Sequence, residues 1–112
     1  MTTTSPQIAE KLYEEGTKRG FHVLDAPVTG GDTGAREGTL SILVGGDKSD
    51  YTNCHELFEA MGTNINYEGS AGCGQHCKLA NQIMIAGALS GVCEALTYAK
   101  EKGLDLNVFS KP

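Results

Sequence analysis

The chain is poor in positive charge. Nine lysines and arginines stand against fourteen aspartates and glutamates, for a formal charge of −5. Nothing in it forms the basic footprint that a phosphate backbone requires, so nucleic acid is not an expected partner. Charge blocks and low-complexity segments are also missing, which removes the compositional signs of a disordered interaction tail. Met1-Thr2-Thr3-Thr4-Ser5-Pro6 has neither the basic start nor the apolar core of a secretory signal. The longest nearly apolar run, Ile83 to Cys93, falls short of the roughly 18 residues that suggest a membrane span. A soluble, cytoplasmic protein with no membrane partner is expected.

Disulfides are not expected either. The four cysteines are Cys54, Cys73, Cys77 and Cys93. The chain is neither loop-rich nor secreted in character, so free thiols in a reducing compartment are the reading.

The 112 residues, 39% of them hydrophobic, suffice for one small globular domain. Ser5-Pro6 signals a helix start, and Gln7 to Arg19 places Ile8 and Leu12 one turn apart with Tyr13 beside them. Gly20 is a natural stop. Phe21 to Asp25 reads as a buried strand, followed by the breaker-rich loop Ala26-Pro27-Val28-Thr29-Gly30-Gly31. Asp32 to Gly38 reads as polar and irregular, with at most a helical turn. Thr39 to Val44 is the next strand. Asp47 then caps a helix over Lys48 to Met61, whose stripe is Tyr51, Cys54, Leu57, Phe58 and Met61. Asn64 to Tyr67 alternates like a short strand. A long helix follows, about Gln75 to Lys102, apolar almost all round in its middle and therefore expected to be buried on several sides. Leu104 to Pro112 reads as the start of a further element. The order predicts an α/β layer of three strands with an unmatched long helix.

The stretch Gly72-Cys73-Gly74-Gln75-His76-Cys77-Lys78-Leu79-Ala80-Asn81 organises this pattern. Lys78 sits near the mouth of the long helix, and no other charge follows until Glu94. A cation on an apolar helix is costly to bury. With Asn81 and Gln82 on the same face, it could hold a substrate oxygen and a carboxylate. An amine among apolar neighbours also exchanges its proton more readily than one in water. The bland alternative is a lysine that snorkels to solvent. Thr29-Gly30-Gly31 is a second candidate, because bare backbone N–H groups and a hydroxyl at the end of a strand suit a carboxylate. An ordinary turn is the alternative there.

Other signals are weaker. Gly72-x-Gly74 imitates a dinucleotide fingerprint, but Cys77 stands where glycine or alanine belongs. Cys73, His76 and Cys77 lack the usual spacing of zinc ligands, so no metal is expected. Cys54 and Cys93 read as core residues, and His22 as structural.

Taken together, Thr2-Thr3-Thr4-Ser5-Pro6, Asp25 to Gly31 and Gly72 to Asn81 resemble, in that order, the β-hydroxyacid dehydrogenase family. This family includes 3-hydroxyisobutyrate dehydrogenase and tartronate semialdehyde (2-hydroxy-3-oxopropionate) reductase. Gly34 to Ile42 with Val44-Gly45-Gly46-Asp47 resembles the second branch. The resemblance implies an oxidoreductase using NAD or NADP, a small hydroxy acid or semialdehyde substrate, and a homo-oligomeric parent. It implies Lys78 as the catalytic proton carrier, and Asn81, Thr29, Gly30 and Gly31 as substrate-binding residues. Threonine replaces the more usual serine at position 29. Thr3 matches a hydroxyl close to the nicotinamide. The implied layout is the second half of a Rossmann-like cofactor domain over 1–71. Residues 72–112 then carry the interdomain helix and the start of a helical domain. The glycine fingerprint would precede residue 1 and the helical domain would follow residue 112. On that reading Met1 is an internal residue of a longer protein, and the chain alone binds cofactor poorly and turns over little. The competing readings are an inactive truncated dehydrogenase, a non-catalytic interaction module pairing through the long helix, and a thiol or metal module on Cys73 and Cys77.

Overall fold

The computed structural model describes residues 1–111. It divides into two compact units, Met1–Leu79 and Ala80–Pro112.

In the first unit, helix α1 (Pro6–Lys18) starts with proline in its first turn, where the missing N–H costs nothing. It buries Pro6 and Ala9. The expected stripe of Ile8 and Leu12 faces outward, the two being 51% and 59% exposed. The sheet has the order β1 (Val28–Thr29), β2 (Leu40–Gly45), β3 (Gly62–Gly69). β1 and β2 are antiparallel, pairing Val28 with Ile42 and Thr29 with Ser41. β2 and β3 are parallel and joined through α3 (Lys48–Glu59), the helical crossover that parallel neighbours need. Ile42 and Val44 are fully buried and pack with Ala26, Leu40 and Phe58. Tyr51, Cys54 and Met61 lie against this cluster, while Leu57, expected in the same stripe, is 63% exposed.

The strand expected over Phe21 to Asp25 does not form. Only Asp25 pairs, in a bridge to Gly45 that keeps the β1–β2 register. Among the described residues no strand lies beside Phe21 to Leu24, and β2 already has neighbours on both sides. Pro27 explains the gap between that bridge and β1. Its carbonyl accepts from the Leu43 N–H at 2.9 Å, but it has no N–H to return. The irregular stretch expected after Gly30 is instead a short helix, α2 (Gly31–Glu37). It is closed by Gly38, which sits in the left-handed region at φ 70°.

Helix α4 (Cys73–Glu101) begins in the first unit and runs on into the second, where α5 (Leu106–Phe109) follows. In the second unit Ala99 is buried, whereas Ile83, Met84, Leu89 and Val92 are 55–73% exposed. The many-sided burial expected for this helix is therefore absent. Cys93, expected in a core, is exposed as well. By length and composition alone α4 could cross a membrane, with a mean hydropathy of 1.3 over an 18-residue stretch. The core helices of soluble proteins pass the same test.

Candidate active site

The start of α4 is held by a residue nearly fifty positions away. The Asp25 carboxylate accepts from the Gly72 N–H at 2.9 Å and from the Gln75 N–H at 3.0 Å. The donors are the residue just before α4 and one in its first turn, where N–H groups have no partner within the helix. Asp25 thus acts as an N-cap supplied from the sheet edge. Close approach makes this possible. A Cβ on Gly45 would lie 2.7 Å from the Asp25 Oδ1 and from the Gly74 N. A Cβ on Gly74 would lie 2.5 Å from the Leu43 carbonyl oxygen. The two glycines let helix and strand meet backbone to backbone.

Gln75, 2% exposed, extends the anchoring. Its Oε1 accepts from the Thr4 N–H at 3.0 Å, and its Nε2 donates to the Thr2 carbonyl at 2.7 Å. Both ends of the carboxamide are satisfied by the segment on either side of Thr3. The Thr3 side chain remains exposed. Thr2, Thr4, Asp25 and Gln75 also border a cavity of about 160 Å³, walled by apolar residues including Leu12 and Leu24.

Lys78 lies one position short of a full turn beyond Gln75, on the same helix face. It is 9% exposed. Among the described residues no carboxylate forms an ion pair with it. Thr29, half-buried, ends β1 opposite Ser41. Gly30 and Gly31 follow with φ of 130° and 65°. A side chain at Gly31 would meet open space, so glycine there is selected by backbone conformation and not by crowding. The first unit therefore ties the backbone on either side of Thr3 to Gln75, one helical turn before Lys78, and Thr29 lies on the same segment as Asp25, which caps α4. Asn81 belongs to the second unit and is half-buried.

The remaining titratable groups have local roles. Burial pushes the Cys77 thiol up from its ordinary range, and the Glu68 carboxylate adds to the effect. Cys73 contacts the Ser70 hydroxyl at 3.7 Å. Exposed His22 pairs with buried Asp50 at 2.8 Å. Among the described residues no three metal-ligating side chains converge.

Local reading of the sequence missed Asp25 and Gln75 as anchors. Asp25 stands at the end of an apolar stretch, but the helix start that it caps lies 47 to 50 positions further on. Gln75 had no local signal either, because its partners are backbone atoms more than seventy positions away.

The residues fit one end of a nicotinamide dinucleotide. The N–H groups at the start of α4 are already filled by Asp25, so no pyrophosphate can sit on this turn, whatever its glycines suggest. The clamped Thr2–Thr4 segment leaves the Thr3 side chain exposed.

A three-stranded α/β unit leading into a long apolar helix, with Lys78 on its first turns, matches the NAD-binding domains of dehydrogenases. Residues 1–69 match the family described as the NAD binding domain of 6-phosphogluconate dehydrogenase. Residues 72–111 match the NAD-binding domain of NADP-dependent 3-hydroxyisobutyrate dehydrogenase. An uncharacterized oxidoreductase of Bacillus subtilis is 50% identical over 105 residues, covering 94% of this chain and 36% of the relative. The 2-hydroxy-3-oxopropionate reductase of Escherichia coli is 46% identical over 105 residues, with the same coverage of 94% and 36%. The solved Mycobacterium tuberculosis 3-hydroxyisobutyrate dehydrogenase with L-serine superposes with a TM-score of 0.88 at 35% identity, over 92% of this chain and 35% of that one. The chain belongs to the 3-hydroxyisobutyrate dehydrogenase family of NAD(P)-dependent β-hydroxyacid dehydrogenases. It spans about a third of the length of these relatives.

Proposed function

We propose that the chain carries the proton-transfer and carboxylate-binding part of a dehydrogenase. The enzyme interconverts a small 3-hydroxy acid with its semialdehyde, such as 3-hydroxyisobutyrate or 2-hydroxy-3-oxopropionate. The observation behind this reading is Lys78: a residue 9% exposed, with no ion-pair partner among the described residues, on the first turns of a helix anchored from the sheet.

When bound, NAD(P) supplies or accepts the hydride at the substrate carbon. The Lys78 Nζ gives a proton to the carbonyl oxygen during reduction and takes one from the hydroxyl during oxidation. Thr29, Gly30 and Gly31 offer a hydroxyl and backbone N–H groups to the substrate carboxylate. Asn81 offers its carboxamide to the substrate. Thr3 stands at the nicotinamide end. In this reading residues 1–71 belong to the cofactor domain and 72–112 lead toward the substrate domain. Four free cysteines suit a reducing compartment such as the cytoplasm.

A hybrid enzyme tests the assignment. These residues would replace the matched third of the E. coli 2-hydroxy-3-oxopropionate reductase. Lys78→Ala in the hybrid is expected to lower kcat by about 10³-fold, within the range of general acid–base catalysis, while cofactor affinity stays unchanged. Retained turnover would overturn it.

A further inference from the structure

We propose that Gln75 is the positioning residue that locks the nicotinamide-facing segment to the helix carrying the proton donor. The inference rests on the reading of Thr3 and Lys78 given above and adds the part that couples them.

The geometry has three linked steps. The Asp25 carboxylate fixes the Gln75 backbone through its N–H at 3.0 Å. With its main chain fixed, Gln75 presents its carboxamide in one orientation. The Oε1 takes the Thr4 N–H and the Nε2 reaches the Thr2 carbonyl. That pairing uses a donor and an acceptor on one planar group, which a carboxamide provides without charge. It brackets Thr3 on both sides, so the Thr3 backbone is held against the turn of α4 that leads to Lys78. The alignment of hydride carrier and proton donor is the quantity that proximity effects reward. A side chain serving the core alone would need no polar head, whereas Gln75 is 2% exposed with both polar atoms satisfied by this single segment.

Glutamine 75 can be separated from general packing by its two halves. Gln75→Glu keeps an acceptor for the Thr4 N–H and loses the donor to Thr2. Gln75→Ala loses both. The test uses the ¹⁵N-labelled 112-residue chain and NADH as the probe. In the native chain the Thr4 amide is expected to be protected from hydrogen exchange. NADH at millimolar concentration is expected to shift the Thr3 and Thr4 amides. Gln75→Ala is expected to speed Thr4 exchange at least tenfold and weaken the NADH response at least threefold. Gln75→Glu is expected to keep Thr4 protection while still weakening the response. The Leu43 amide, bonded to the Pro27 carbonyl, reports that the sheet is intact in every variant. Unchanged Thr4 exchange in Gln75→Ala would overturn the clamp. A freed Thr4 with an unchanged NADH response would overturn the positioning role alone. Silence of Thr3 in the native chain would instead sink the cofactor reading of that residue.

Discussion

At the scale of single residues, the chemistry divides by what each group faces. Lys78 is 9% exposed and has no ion-pair partner among the described residues, while the thiol beside it, Cys77, is held neutral by burial and by Glu68. Thiolate is the reactive form of cysteine, so Cys77 is a poor nucleophile at neutral pH. Its folded-state pKa is raised, so the folded chain holds the thiol proton more tightly than the unfolded chain does. The resulting stabilisation is complete below the ordinary thiol pKa of about 8.5 and fades as pH rises through the folded value. Iodoacetamide at pH 8 is expected to label exposed Cys93 at least tenfold faster than Cys77, with the difference lost in urea. Equal rates in the folded chain would contradict this account of the thiols.

At the scale of elements, α4 owes its placement to Asp25. A charge-assisted hydrogen bond contributes about 1.5–3 kcal/mol, and Asp25 makes two to the first turn. Asp25→Ala is expected to destabilise the chain by about 3 kcal/mol in urea unfolding, and Asp25→Asn by somewhat less, since a carboxamide keeps one acceptor. A loss below about 0.5 kcal/mol, the scale of surface changes, would contradict the anchoring. The elements themselves were largely legible. Local pattern marked α1, β2, α3, β3 and α4, because glycines and a proline punctuate them and apolar spacing fills them. It failed where structure depends on a distant partner. Phe21 to Leu24 has strand composition but no neighbour to pair with, and the two-residue β1 is too short for any periodicity. Lys78 and Thr29-Gly30-Gly31 could be picked out by residue type and spacing. The anchoring roles of Asp25 and Gln75 could not, since their partners lie about fifty and seventy positions away.

At the scale of the molecule, the first unit holds Thr3, Thr29 to Gly31 and Lys78, and the second holds Asn81 and the exposed apolar side chains of α4. The chain spans about a third of its relatives' length. The claim at the centre is that the Lys78 amine carries the proton. Chemical rescue in the Lys78→Ala hybrid tests it most directly. Added methylamine, an amine free to diffuse into the space left by the side chain, is expected to restore turnover at least tenfold and in proportion to its concentration. A variant that turns over at the native rate without any amine would contradict the claim.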